Sequence, residues 1–279
     1  MERLIVREYN PRAMSARTVC CCAAALSGFI GLSAAGPIST TRFRLDPSGR
    51  ILLPVRIDGT PHSLVMDTGT RSTTISPAVA ATLTRTVRED RHGVRAVDDV
   101  SLEVLGVVLP HQVLHVSSEE MLDDGVVGAE LCDRFVVKVD FRGRRITLWE
   151  RTMVIDTRHA VTAPADFSNE VPVIKARISA SGVKASAATL IVGLTVPPGT
   201  VSLTYRYAAD AGLLDASRDG ALPIEIRGVT KSSIRAAAHL PREPERTPLL
   251  FADGIVSARA LTSSWIVFDA SRGRIVIGQ

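Results

Sequence analysis

Short runs of apolar and β-branched residues, separated by turn residues, follow one another along most of the chain. The run Ile51–Ile57 is followed by Asp58-Gly59, a dipeptide typical of hairpin turns, and Ser63–Met66 then resumes the pattern. The same pattern predicts further strands at Leu102–Val108, Gln112–Val116, Val136–Phe141, Arg145–Trp149, Val173–Ile178, Leu222–Arg227, Ile266–Asp269 and Arg274–Ile277. Helical patterns are confined to Pro77–Leu83 and Tyr205–Leu213. We therefore predict an all-β fold, a barrel or sandwich with short helices only.

The chain also repeats itself. Asp124–Ala129 is echoed by Asp253–Ala258, and Val139–Ile146 is echoed by Phe268–Ile275. The shift is constant, since 253 − 124 and 275 − 146 both equal 129. Two ordered matches at one shift indicate an internal duplication. This predicts a first lobe over residues 36–156, a linker of small and polar residues over 157–169, and a second lobe over 170–279.

Composition excludes some partners. Hydrophobic residues make up 46% of the chain and aromatic residues only 4%, so Val, Ile, Leu and Ala must fill the core. The net charge is +4, but the basic residues are scattered and form no cluster with interleaved aromatics, so no nucleic-acid partner is predicted.

The N-terminus has the pattern of a secretory leader. Arg12 and Arg17 precede an apolar run from Val19 to Leu32, which is followed by small residues. We predict a signal peptide over residues 1–35 and a mature protein in the periplasm or outside the cell. An uncleaved N-terminal anchor is the alternative. A leader that begins at Met14 has more usual proportions, but the sequence leaves open whether translation starts at Met1 or at Met14. Three of the four cysteines lie in this leader, and Cys132 is predicted to be a buried core residue.

The candidate chemistry centres on Asp67. The apolar residues Leu64-Val65-Met66 predict a buried strand that delivers Asp67 to its end, and a loop rich in hydroxyl groups follows. Some 60 residues later, Val126-Val127-Gly128 heads another apolar run.

These two segments resemble the active-site elements of retropepsin-like aspartic proteases. The family pairs a D-[TS]-G-[AST] loop with a later apolar-apolar-Gly segment, here Asp67-Thr68-Gly69-Thr70 and Val126-Val127-Gly128. The resemblance covers residues 43–150, and residues 170–279 only as a degenerate second copy. It implies two closed or partly open β-barrel lobes and no cofactor or metal.

The resemblance also implies roles for the loop residues. Asp67 would be one member of a pair of aspartates that share a proton and activate water for peptide hydrolysis. Gly69 would let the backbone approach the carboxylate, Thr70 would hydrogen-bond it, and Thr68 would bond across to the other lobe. The turn Arg91–Val94 is the candidate flap over the substrate.

The second copy lacks the matching aspartate. Aligning Ala188–Gly193 with Leu64–Gly69 places Ile191 at the aspartate and Gly193 at Gly69, and Ser257 stands in place of Gly128. If the two lobes pair within one chain, activity should be lost or very low. If the first lobes of two chains pair in a homodimer, Asp67 meets its own copy and activity survives.

The sequence leaves three hypotheses for function. The first is an aspartic endopeptidase acting on peptides or proteins, favoured by the intact Asp67–Thr70 loop. The second is an inactive relative that binds extended peptides between its lobes, favoured by the missing aspartate. The third is an unrelated β-rich protein.

His111 and His115 would lie on one face of a strand, but no third metal ligand is evident.

Overall fold

Three sheets account for the described part of the chain, which in this computed structural model comprises residues 36–118, 123–216, 221–243 and 251–278. The predicted leader lies outside the described residues. Strands dominate and every described helix is short, so the predicted all-β class is confirmed. None of the described helices has the length and apolar character that a membrane crossing would need.

The first copy contains eleven strands and two helices among its described residues. These are β1 (Ser39–Arg42), β2 (Arg44–Leu45), β3 (Ile51–Ile57), β4 (Thr60–Met66), β5 (Thr74–Ile75), α1 (Pro77–Thr82), β6 (Val87–Glu89), β7 (Arg95–Val104), β8 (Val107–Val116), β9 (Gly125–Val127), α2 (Glu130–Arg134), β10 (Phe135–Asp140) and β11 (Arg145–Glu150). Six of the strands close a barrel in the order β3-β4-β9-β5-β8-β7, because β7 pairs with β3.

The described residues of the second copy repeat this plan. They form β12 (Ala160–Pro164), β13 (Val173–Ala180), β14 (Val183–Gly193), β15 (Thr200–Leu203), α3 (Tyr205–Asp210), α4 (Leu213–Ala216), β16 (Ala221–Arg227), β17 (Ile234–His239), β18 (Gly254–Ser257), α5 (Ala258–Leu261), β19 (Trp265–Asp269) and β20 (Arg274–Gly278). A second six-stranded barrel closes in the order β13-β14-β18-β15-β17-β16.

A third sheet joins the two barrels in the order β1-β11-β10-β19-β20-β12. Its central strands pair antiparallel, and Lys138 faces Val267, which is 267 − 138 = 129 residues away. On either side of this pair, Val137 faces Phe268 and Val139 faces Ile266. A shift of 129 residues relates Val137 to Ile266 and Val139 to Phe268, so the repeat converts each of these two pairs into the other. An approximate two-fold axis therefore passes between β10 and β19, and the internal repeat is structural.

Equivalent hydrogen bonds recur in both copies. Asp124 Oδ2 accepts the backbone N–H of Ser63 at 3.0 Å, and Asp253 Oδ2 accepts that of Thr189 at 2.8 Å. Both carboxylates belong to the repeated Asp-Gly dipeptide, which explains why this dipeptide marks the duplication in the sequence. The short helices α1 and α3 also begin alike, because the Ser76 and Thr204 hydroxyls cap them.

The core follows from the apolar positions of the strands. In β3, Ile51, Leu53, Val55 and Ile57 alternate inwards and are almost fully buried, as a period of two requires. One continuous cluster of Val, Leu, Ile and Ala with few aromatics fills both barrels, as the composition predicts.

Three predicted elements differ from the structure. The predicted helix Tyr205–Leu213 is divided into α3 and α4, with Gly212 at positive φ between them. Leu102–Val108 is not one strand, because Leu105-Gly106 forms the turn between β7 and β8, with both residues at positive φ. The segment 157–169, predicted as a linker, contains β12, which pairs with β20 at the edge of the joining sheet.

Candidate functional site

Asp67 lies at the end of β4, as the sequence predicts, and β9 holds it there. The Asp67 N–H donates to the Val127 carbonyl at 3.0 Å, while Val65 and Met66 pair in parallel with Val126 and Val127. The segment Val126-Val127-Gly128 therefore lies beside the Asp67 loop, which is the arrangement that the resemblance implies.

Gly128 is required at this place for steric reasons. A Cβ on Gly128 would lie 2.6 Å from the Ser72 carbonyl carbon and 2.8 Å from the Arg71 carbonyl oxygen. The backbone could not accept such contacts without moving. Only glycine lets the two segments approach this closely.

The two lobes meet at the Asp67 loop. The Thr68 hydroxyl donates to the Val192 carbonyl of the second lobe at 2.7 Å, and Thr68 is fully buried. This is the contact that the resemblance implies for Thr68. Since it joins residues of one chain, the loops of the two lobes pair within that chain.

The carboxylate of Asp67 accepts four hydrogen bonds. Oδ1 accepts the N–H groups of Gly69 at 2.9 Å and Leu194 at 3.1 Å. Oδ2 accepts the hydroxyls of Thr70 at 3.3 Å and Thr195 at 2.8 Å. A carboxylate has about four acceptor positions, so these donors occupy them all. Two of the four belong to the second lobe, and Asp67 therefore connects the lobes.

The strand register corrects the predicted alignment of the second loop. Val65 and Met66 pair with Val126 and Val127, and their second-copy counterparts pair in the same way, Ile191 with Ile255 and Val192 with Val256. Ile191 is thus the counterpart of Val65, and the prediction that it replaces Asp67 is wrong. Gly193 is the counterpart of Asp67, and Ser257 pairs with it. The predicted correspondence of Ser257 with Gly128 holds.

Gly193 faces Asp67 directly. A Cβ built on Gly193 would lie 3.6 Å from Asp67 Oδ1 and 2.9 Å from Ile255 Cγ2. The position of a second aspartate therefore exists, but it carries no side chain, and the side chains of Ile255 and Val196 lie close to it. The site as described holds one carboxylate where an aspartic protease needs two.

The predicted flap, Arg91–Val94, lies at the tip of the β6–β7 hairpin. Asp90 orders this turn, since its Oδ1 accepts the N–H groups of His92 at 2.8 Å and Val94 at 2.9 Å. The Val94 side chain is 43% exposed at the tip. β6 ends its sheet and has β7 as its one neighbour among the described strands.

Glu130 is the most unusual ionisable group beside the site. Its Oε1 accepts the Thr73 N–H at 2.7 Å, and its Oε2 is buried without a hydrogen-bond partner among the described residues. Burial raises the pKa of Glu130 above its ordinary value, and the bonds from Thr73 offset this only in part.

We expect Glu130→Gln to stabilise the protein at pH 7 relative to wild type. Because the pKa of Glu130 is raised in the folded state, the folded protein favours the protonated acid. The contribution of Glu130 to the stability of the fold is therefore lost as pH rises from about 4.5 through the raised pKa. Glutamine keeps the acceptor for Thr73 and cannot ionise. Thermal unfolding between about pH 4 and 8 measures the effect, with the exposed Glu89→Gln as control. A difference from wild type that does not vary with pH would contradict this assignment.

Two further sequence predictions concern cysteine and histidine. Cys132 is buried in the core, as predicted, and burial raises the pKa of its thiol far above the ordinary value. The side chain of His111 is 82% exposed and lies 2.5 Å from an Asp99 oxygen. Within the described residues, no three His, Cys, Asp or Glu side chains come together in a way that could hold a metal ion.

Sequence reasoning missed the residues of the second lobe that reach Asp67. Thr195 and Leu194 contact its carboxylate, and Gly193 occupies the position of the second aspartate. The one signal for them in the sequence is the repeated Asp-Gly pair, whose carboxylates bind the backbone of β4 and β14 in the same way.

No family model matches the chain, and no curated protein matches it in sequence.

Proposed function

We propose that this protein is a non-catalytic relative of the two-lobed aspartic proteases and binds extended peptides between its lobes. The observation that carries the proposal is Gly193, which stands opposite Asp67 at the lobe junction and leaves the site with one carboxylate. One carboxylate cannot both share a proton with a partner and activate water.

The four donors on Asp67 support the same proposal. In a working dyad, part of the carboxylate must be open to water and to the second aspartate. Here Leu194 and Thr195 of the second lobe occupy those acceptor positions. They also supply a reason to keep Asp67 without catalysis, since it fastens the two lobes together.

Peptide binding is supported by the edge of the first lobe. The outer edge of β6 has no strand neighbour among the described residues, so its backbone groups can accept an added strand.

The aspartic endopeptidase is the second candidate, and one observation favours it. Asp67 is partly exposed and keeps the full Asp67–Thr70 loop geometry. In the other form of this candidate, the first lobes of two chains pair with each other. Such pairing would break the hydrogen bond from Thr68 to Val192 and the two hydrogen bonds that the second lobe donates to Asp67.

The deciding experiment screens residues 36–279 against a library of extended peptides from about pH 3 to 7. Fluorescence anisotropy measures binding, mass spectrometry measures cleavage, and Asp67→Ala is run in parallel. We expect binding without cleavage from a monomer. Cleavage that disappears in Asp67→Ala would favour the endopeptidase, and a protein that binds no peptide would overturn both candidates.

A further inference from the structure

Arg71 reaches across the lobe junction immediately after the Asp67 loop. Its backbone carbonyl accepts the Glu130 N–H at 3.1 Å, which anchors it to the first lobe. Its guanidinium carbon lies 5.3 Å from the centre of the Phe251 ring, which belongs to the second lobe. A cation is therefore held at the junction, a few residues from Asp67.

No carboxylate of the described residues compensates the charge of Arg71. No carboxylate lies within 4 Å of its guanidinium in the part of the chain that the structure describes, whereas the guanidinium groups of Arg85, Arg88, Arg158 and Arg227 each pair with one. Stacking on an aromatic ring uses the face of the guanidinium and leaves its N–H edge free. That edge is a fork of donors suited to bidentate binding of a carboxylate.

The stacked ring also borders a cavity of about 500 Å³. Its apolar lining includes Ala163, Ala165 and Val173 together with Phe251, and Lys175 and Thr189 add polar groups. Asp166 lines it too, but its Oδ1 already accepts the Ser168 N–H at 2.8 Å. A cavity of this size admits one or two side chains beside Phe251.

These two features meet at Phe251, and each suits a different part of one peptide. We propose that the junction selects extended peptides that carry a carboxylate, which Arg71 binds, next to an apolar residue that enters the cavity beside Phe251. The proposal rests on the proposed function, and it names the class of peptide. The carboxylate comes either from an Asp or Glu side chain or from the C-terminus of the peptide.

The test uses a peptide that the screen identifies and wild-type protein of residues 36–279. Each acidic residue of the peptide is replaced by its amide, and in a separate arm the C-terminal carboxylate is amidated. We expect one of these changes to weaken binding about tenfold to a hundredfold, the range of a charge-assisted hydrogen bond. The arm that shows the loss identifies the source of the carboxylate.

Arg71→Met and Arg71→Lys then test the assignment, with Arg259→Met as the matched control. Arg259 stacks on Phe141 at 5.8 Å, so it makes the same kind of contact with a different ring. We expect Arg71→Met to bind both the acid and the amide peptide equally weakly, Arg71→Lys to bind with intermediate affinity, and Arg259→Met to match wild type. Thermal unfolding of each variant confirms that it is folded.

Different failures have different meanings. If wild type binds peptides but ignores their carboxylates, or if Arg71→Met still distinguishes acid from amide, this inference is overturned and the proposed function stands. If wild type binds no peptide, the proposed function fails and this inference fails with it.

Discussion

Rebuilding the second loop should create an acid protease from this protein. The change is Gly193→Asp, Leu194→Thr and Thr195→Gly, which repeats Asp67-Thr68-Gly69 in the second lobe, together with Ile255→Val, which repeats the neighbour Val126. A side chain at 193 starts 3.6 Å from Asp67 Oδ1, so the two carboxylates would lie close enough to share a proton. The removal of Thr195 also frees one acceptor position on Asp67.

We expect the rebuilt variant to cleave peptides under acid conditions at least about a hundred times faster than wild type, the lower end of what a positioned acid and base contribute. Cleavage is followed by mass spectrometry on a peptide library. The matched control carries Asn at 193 in an otherwise identical variant, which keeps the shape and removes the second acid. A second control adds Asp67→Asn to the rebuilt loop, and both controls should be inactive. A folded rebuilt variant without cleavage would show that the cleft lacks more than the second aspartate.

The sequence predicted the strands that have a strong apolar pattern and a turn signal. Ile51–Ile57 is a strand with the predicted bounds, because its inward positions are apolar and Asp58-Gly59 turns the chain. The turn at Leu105-Gly106 was not predictable in the same way. Leu105 adopts φ 54° and is fully buried, so packing of its side chain overrides the usual preference for Gly, Asn or Asp at such a position.

The sequence located the Asp67 loop of the first lobe but misaligned the facing loop of the second lobe. Asp67 and Thr70 form the contact that the resemblance implies, since a local motif fixes local geometry. Thr68 forms the implied contact with the other lobe. The second loop retains none of that motif. Aligning its Gly193 with Gly69 gave the wrong register, because Gly193 is the counterpart of Asp67. Pairing of β14 with β18 settles the register, and such pairing between distant strands is invisible in a single sequence.

We expect that Asp67 persists in a site with one carboxylate because it binds donors of both lobes. Asp67→Asn should lower the free energy of unfolding by about 2–4 kcal/mol, because an amide nitrogen would face donors that now bind a carboxylate oxygen. For a chain of this size the unfolding temperature should fall by about 5–15 °C. Asp210→Asn serves as control, since Asp210 is exposed at the end of α3.

The substitution Thr195→Val tests the hydrogen bonds of Asp67 between the lobes separately from those within the first lobe. The Thr195 hydroxyl, in the second lobe, donates to Asp67 Oδ2 at 2.8 Å, so removal of this hydroxyl should lower the free energy of unfolding by about 1 kcal/mol. Once Asp67 is Asn, the same change should have little further effect, and a double-mutant cycle measures this coupling. Thr70→Val, which removes the donor from the first lobe, provides the comparison. If Asp67→Asn unfolds at the wild-type temperature, Asp67 does not fasten the lobes, and the endopeptidase becomes the better explanation for its presence.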